Sequence, residues 1–146
     1  MTGLYFVDSN VLVYALDTAN PQKQAAALRW RDALWQSQSG HLSWQVLHEF
    51  FYSATRKLHI SEAVVRALVR SYAQWPVTGF SLSLIELAWY WTDRAQLNYW
   101  DALILAAAER SGCRWLLSED FTHKRKYGSV EAVNPFLTEP NGFGAA

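Results

Sequence analysis

The sequence has little of several features that would assign it quickly to a class of protein. Its single cysteine, Cys113, excludes an internal disulfide framework and a zinc site built from cysteines alone. No basic segment followed by an apolar run precedes Asp8, so no secretory signal is recognised. The longest apolar run, residues 102–108, is far shorter than the roughly 20 residues that span a bilayer. We therefore expect a cytoplasmic protein with no membrane segment.

The chain also lacks an excess of charge of either sign. Its 13 basic and 13 acidic side chains give a formal net charge of +0, so no overall field indicates a nucleic-acid partner. Hydrophobic residues make up 51% and charged residues 18% of 146 residues, which favours one globular domain with a real core. With no repeat or linker in the sequence, we expect one domain over residues 1–137 and a flexible tail over 138–146.

Tryptophan, by contrast, is abundant, with eight in the chain. Trp89, Tyr90 and Trp91 are consecutive, and neighbouring residues of a helix point about 100° apart, so the three cannot all face one core. We expect some aromatic surface to be exposed. This surface is either simply exposed to solvent or part of a protein interface, where Trp and Tyr are enriched.

Hydrophobic patterning predicts strands that alternate with helices. The predicted strands are residues 4–7, 77–82, 114–118 and a short one within 130–136, and residues 41–43 form a short apolar segment. The predicted helices are 22–38, 44–58, 62–75, one opening at a capping box of residues 83–86, and 101–112. This alternation predicts an α/β fold with a central parallel sheet covered on both faces. In such sheets, ligands bind at the carboxyl ends of the strands.

Four carboxylates fall at the ends of predicted elements or in apolar surroundings. Asp8 directly follows the first predicted strand, and Asp120 follows the strand predicted over residues 114–118 with one residue between. Asp101 begins the last, apolar helix, and Glu49 lies within the apolar segment VLHEFF. Each also has a structural interpretation: Asp101 as a helix cap, Asp8 and Asp120 as turn residues, and Glu49 as a half-exposed helical residue.

Carboxylates that share a pocket raise each other's pKa and cannot all stay ionised without cations. Oxygen ligands suit hard divalent ions such as Mg2+ or Mn2+, and a pair of such ions suits the hydrolysis of phosphodiesters. The four histidines, at residues 41, 48, 59 and 123, are scattered and form no competing site. For each acid, therefore, both the structural interpretation and a role as a metal ligand remain open.

Four segments resemble the PIN-domain family, and within it the VapC-type toxins of bacterial toxin–antitoxin pairs. They are FVDSNVLVYAL, SWQVLHEFF, LNYWDALILAAAERSGCRWLLSEDF and AVNPF, and they run in the family's order from about residue 4 to residue 137. The resemblance implies a three-layer α/β/α sandwich and an endoribonuclease that depends on Mg2+ or Mn2+. It also implies a cognate antitoxin as a partner and a tendency to form a homodimer.

The resemblance also assigns roles to individual residues. The family's acidic metal-binding cluster falls on four positions, which are Asp8, Glu49, Asp101 and Asp120. Asn10 and Ser118 match the residues that orient this site through hydrogen bonds. The sequence departs from the family at Ser9, where threonine is commoner, and in the loop after Asp120, which is unusually basic.

That basic loop is the one dense run of positive charge in the sequence. Setting aside the four cluster acids leaves 13 basic against 9 acidic side chains, a balance of +4. Lys124, Arg125 and Lys126 follow Asp120 closely, and phosphate contacts from Lys and Arg dominate nucleic-acid affinity. We expect these three side chains to hold the RNA backbone; a solvated loop and an antitoxin contact are the alternatives.

Two other functions remain open from the sequence. One is a non-catalytic PIN-like module that binds RNA or protein. The other is a haloacid-dehalogenase-like phosphatase, in which a strand-end Asp attacks phosphate. That family places a second Asp two residues later, where this chain has Asn10.

Overall fold

The computed structural model describes residues 3–140 of the chain. Its elements, in chain order, are β1 Tyr5–Val7, α1 Ser9–Tyr14, α2 Pro21–Ser37, β2 Gly40–Ser43, α3 Trp44–Arg56, α4 Glu62–Tyr72, β3 Val77–Thr78, α5 Leu82–Ala95, α6 Tyr99–Arg110, β4 Trp115–Leu117, β5 Lys126–Tyr127 and β6 Val130–Val133. The strands form one sheet in the order β3-β2-β1-β4-β6-β5. All neighbours in it are parallel except the last pair, β6 and β5.

The predicted α/β fold with a central parallel sheet is confirmed, and its helices and sheet are consistent with a three-layer α/β/α sandwich. The antiparallel strand β5 was not predicted. It forms a hairpin with β6 across Gly128, whose φ of 61° lies in the left-handed region that glycine adopts without strain. Two residues are too short to leave a hydrophobic pattern that could be read from the sequence.

The path of the chain makes a crevice beside β1. From β1 the chain builds outward through β2 to β3, then returns across the sheet to place β4 on the other side of β1. The junction of β1 and β4 is therefore the point where the order of strands reverses. In open α/β sheets, ligands bind at the carboxyl end of such a junction.

Apolar side chains on both faces of the short central strands hold this edge in place. The ring of Tyr5 stacks on Trp115 with centroids 4.5 Å apart and also contacts Trp30 of α2. Phe6, the next residue, points to the opposite face and is fully buried. Every residue from 102 to 108 of α6 is buried, as expected for a helix that is apolar on most sides.

Two predicted helix starts are wrong. The cap of α5 is Ser81 and not Ser83: the Ser81 hydroxyl accepts a hydrogen bond from the backbone N–H of Leu84 at 3.2 Å. The helix therefore begins at Leu82, and the strand predicted over residues 77–82 shortens to β3. The cap of α6 is Asn98, so Asp101 lies inside the first turn instead of capping it.

The exposed aromatic surface agrees with expectation, and the first residues of the predicted tail contact α2. Trp89 and Tyr90 are exposed while Trp91 is buried, as the consecutive aromatic residues predicted. At the start of the predicted tail, Thr138 and Glu139 contact α2 by accepting hydrogen bonds from its side chains. Residues 141–146 of that tail lie outside the described residues. Within residues 3–140, no helix has both the length and the apolar character needed to cross a membrane.

Candidate active site

Asp8 lies at the carboxyl end of β1 and is also the N-cap of α1. Its Oδ1 accepts a hydrogen bond from the backbone N–H of Ser9 at 2.7 Å, and its Oδ2 accepts one from the Ser118 hydroxyl at 2.8 Å. The residue is 3% exposed. Burial raises the pKa of this carboxyl to about 7; the two hydrogen bonds oppose the shift, and the nearby charges of Glu49 and Asp120 add to it.

Asn10 joins the acids that follow the two central strands. Its Nδ2 lies 3.3 Å from Asp8 Oδ2, 3.2 Å from Ser118 Oγ and 3.1 Å from Asp120 Oδ2. The backbone N–H of Asp120 in turn donates to Ser118 Oγ at 3.0 Å. The side chains of Asn10 and Ser118 therefore hold two carboxylates in fixed relation across the junction of β1 and β4.

Glu49 approaches from α3. Its Oε1 accepts a hydrogen bond from the Ser9 hydroxyl at 3.0 Å, and its Oε2 accepts one from Gln45 Nε2 at 3.2 Å. The same Gln45 amide donates to the backbone carbonyl of Trp100 at 3.1 Å, so it also ties α3 to the first turn of α6.

Asp101 approaches from that first turn of α6. The Asn98 side chain accepts from the backbone N–H of Asp101 at 2.9 Å and donates to its Oδ2 at 2.8 Å. Burial raises the pKa of Asp101, the hydrogen bond from Asn98 opposes this, and the charges of Asp120 and Glu49 raise it further. The carboxyl group thus faces the other acids from the helix side.

The four predicted acids line one open cleft. They share it with five further side chains, which are Ser9, His48, Tyr52, Ser53 and Lys57. Within residues 3–140, no three His, Cys, Asp or Glu side chains come close enough to enclose an ion, so the acids form a cleft and not a closed cage. The oxygen donors still fit hard divalent cations, as do the raised pKa values of Asp8 and Asp101, which are due first to burial and then to the charges of the neighbouring acids.

The predicted basic segment lies outside this cleft. Lys124, Arg125 and Lys126 are exposed in and before β5, and none of them lines the cleft. The Arg125 guanidinium lies over the ring of Tyr127 at 4.7 Å. Their contact with RNA stays a prediction.

Sequence reasoning missed the side chains that continue the cleft along α3. Tyr52, Ser53 and Lys57 come three, four and eight residues after Glu49, which is the spacing of one helical face. That periodicity was a usable signal once Glu49 was a candidate. The periodicity of α3 alone could not show that the face with Tyr52, Ser53 and Lys57, and not another face of the helix, borders the other acids.

The model of the PIN domain matches residues 5–128, so the chain belongs to the PIN-domain family. Two solved structures share its fold. One is the VapC20 toxin of Mycobacterium tuberculosis, described as cleaving the sarcin–ricin loop, with 23% sequence identity, a TM-score of 0.65, and coverage of 87% of this chain and 98% of that one. The other is a toxin–antitoxin complex from Klebsiella pneumoniae, with 20% identity, a TM-score of 0.65, and coverage of 90% and 97%. No curated protein matches the chain.

Proposed function

We propose that this protein is a metal-dependent endoribonuclease and the toxin of a toxin–antitoxin pair. The observation that carries the proposal is the meeting of four carboxylates in one cleft at the point where the order of strands reverses. Membership in the PIN-domain family supports it, as do the two structures of similar fold, a toxin that cleaves the sarcin–ricin loop and a toxin–antitoxin complex.

The residues proposed to hold Mg2+ or Mn2+ are Asp8, Glu49, Asp101 and Asp120. When bound, such ions would activate water and stabilise the leaving oxygen of a phosphodiester. The chain itself supplies the fixed positions of the acids. Asn10 and Ser118 orient Asp8 and Asp120 through the hydrogen bonds described above, and Ser9 and Gln45 orient Glu49.

The proposed reaction needs no covalent intermediate on the protein. Water adds to phosphorus as the bond to the 3′ oxygen breaks, which leaves a 5′-phosphate and a 3′-hydroxyl. The haloacid-dehalogenase alternative loses support because the residue two places after Asp8 is the Asn10 amide, which is bonded to Asp8 and Asp120.

The proposal extends to the partners and the compartment. An RNA would be the substrate, an antitoxin would block the cleft, and the protein would act in the cytoplasm, where its RNA targets are. A homodimer would use part of the exposed aromatic surface, which includes Trp89 and Tyr90.

The test is RNA cleavage by the wild type and by Asp8→Asn, with sequencing of the new 5′ ends. We expect the wild type to cut RNA with added Mg2+ or Mn2+ and to stop when a chelator is added. Asp8→Asn should lower cleavage at least 100-fold, because this carboxyl anchors the cluster. Asp93→Asn, at an exposed acid of α5 outside the cleft, is the matched control and should cut like the wild type.

Two results would overturn the proposal. Full cleavage in chelator would exclude the metal mechanism. RNA binding without cleavage at any concentration of either ion would instead identify a non-catalytic PIN-like module.

A further inference from the structure

One wall of the acidic cleft is a continuous face of α3. From Glu49 it continues through Tyr52 and Ser53 to Lys57, just beyond the end of the helix. At 1.5 Å of rise per residue, Lys57 lies about 12 Å along the axis from Glu49. An aromatic ring, a hydroxyl and a cation therefore follow the acids in a row.

The two ends of this row have no partner in the described part of the chain. Lys57 Nζ makes no ion pair or hydrogen bond there, although it borders a cleft with four carboxylates. The Tyr52 ring is 61% exposed and contacts no other aromatic ring among residues 3–140. An exposed ring and an unpaired ammonium are not explained by the packing of α3.

This order of chemical groups matches a strand of unpaired nucleotides. Proteins that bind single strands combine cations along the backbone with aromatic rings on which bases stack. A base in a duplex is covered by its neighbours on both faces, so a protein ring reaches it only when the strand is unpaired. A cation about two helical turns from the acids reaches a phosphate beyond the one that is cut.

We propose that the face of α3 formed by Tyr52, Ser53 and Lys57 is the binding path of an unpaired RNA strand as it leaves the acids. The Tyr52 ring stacks on a base next to the scissile phosphate, and Lys57 binds a phosphate further along. The inference rests on the proposed ribonuclease function and adds to it the side chains that hold the RNA strand beside the cut. It also adds a phosphate contact from a cation that borders the cleft, beside the contact predicted for the exposed run at residues 124–126.

The test measures RNA binding in Mg2+ with Asp8→Asn as the common background, so that the probe is not cut. The probes are a fluorescein-labelled oligouridylate and the same strand annealed to oligoadenylate. The binding of each probe is measured by fluorescence anisotropy at several salt concentrations. Lys57→Gln should reduce the slope of log affinity against log salt by about 0.7, the value for one phosphate of a single strand. Arg56→Gln is the matched control: it removes a neighbouring exposed cation that does not line the cleft, and it should leave the slope unchanged.

The ring is tested in the same assay. Tyr52→Leu should weaken binding of the single strand about 5- to 150-fold, the range for loss of one stacked base, with little effect on the duplex. Tyr52→Phe keeps the ring and should bind normally. Phe80→Leu, at an exposed ring outside the cleft, controls for general loss of aromatic surface.

The outcomes separate this inference from the proposed function. If the chain with Asp8 intact cuts the probe but Lys57→Gln and Tyr52→Leu bind like their controls, the path along α3 is wrong and the ribonuclease proposal stands; this face would then be a protein-binding surface. Equal weakening for single strand and duplex would overturn the stacking role of Tyr52. If the chain with Asp8 intact does not cleave, while binding still depends on Tyr52 and Lys57, the ribonuclease proposal alone is overturned.

Discussion

Asp8 has a structural role, as a helix cap and not as the turn residue that the sequence suggested, and it also belongs to the group of acids. It caps α1 through its Oδ1, and it is a nearly buried carboxylate among other acids. The cap and the Ser118 hydroxyl offset part of the cost of burial, yet the pKa still rises to about 7. The remaining unfavourable energy is the kind that a bound cation relieves, because a cation stabilises the charged form.

The raised pKa of Asp8 predicts how stability depends on pH in chelator. Between its ordinary value of 3.8 and about 7, the folded carboxyl holds a proton that the unfolded one has lost, so this group lowers the free energy of unfolding as pH rises through that window. At about 1.4 kcal/mol per pKa unit, the loss is at most roughly 4 kcal/mol above pH 7. Asp8→Asn removes this titration. Relative to the wild type, it should therefore gain stability from pH 5 to pH 8.

Urea denaturation of both proteins across this range measures the difference. Saturating Mg2+ or Mn2+ should restore the wild type and leave Asp8→Asn unchanged, since ions that bind only the folded state stabilise it. A constant difference between the two proteins from pH 5 to pH 8 would contradict the prediction.

At the scale of elements, the first turn of α6 links helix formation to the site. Asn98 satisfies a free N–H of this turn with its Oδ1 and orients the carboxylate of Asp101 with its Nδ2. The Oδ1 of Asn98 thus stabilises the helix, and its Nδ2 positions a carboxylate of the site. A substitution that removes only one of these atoms separates the two effects.

Asn98→Ser keeps an oxygen that accepts from the turn but removes the amide that donates to Asp101. We expect stability close to that of the wild type with cleavage reduced about 10- to 100-fold, the usual range for residues that orient metal ligands. Asn98→Ala should lower cleavage as well and should also cost about 1 kcal/mol of stability. Urea denaturation and cleavage rates measure the two effects, and equal stability for Ser and Ala would refute the capping role.

At the scale of the whole molecule, the site depends on the alignment of β1 with β4. Tyr5, Phe6 and Val7 pair in register with the three residues of β4, and the backbone N–H of Asp8 continues this ladder by donating to Leu117 at 3.0 Å. The alignment brings residues 110 positions apart, Asp8 and Ser118, into one hydrogen-bonded group. Packing of the core therefore sets the geometry of the acids.

Leu117→Ala should lower stability by about 2–5 kcal/mol, because Leu117 is fully buried and its removal leaves a cavity. Cleavage should fall even at temperatures where the variant is folded, since the cavity adjoins the strand that positions Asp8. The control Leu137→Ala changes an exposed leucine and should stay within about 0.5 kcal/mol of the wild type. Thermal denaturation and cleavage rates measure the two effects. Equal stability and equal cleavage for Leu117→Ala and Leu137→Ala would contradict the prediction.

The sequence by itself determined the fold class and the choice of acids. The hydrophobic pattern alternates between that of strands and that of helices, which indicates the fold class. A carboxylate in an apolar segment is costly unless it is compensated, so Asp8 and Glu49 could be recognised as candidate site residues without coordinates. Patterning was weaker at element ends, where Ser81 instead of Ser83 and Asn98 instead of Asp101 cap the helices. Several hydroxyl, amide and carboxylate side chains near each start can serve as caps, and the local sequence does not select among them.

Only the tertiary structure decided which side chains complete the cleft. Helical periodicity groups Tyr52 and Lys57 with Glu49, but the direction of that face depends on how α3 packs against α1 and β2. The pairing of β5 with β6 leaves Lys124, Arg125 and Lys126 in and just before β5, outside the cleft, despite their closeness to Asp120 in sequence. Composition and spacing describe one element at a time, whereas the neighbours of a side chain are set by the contacts between elements.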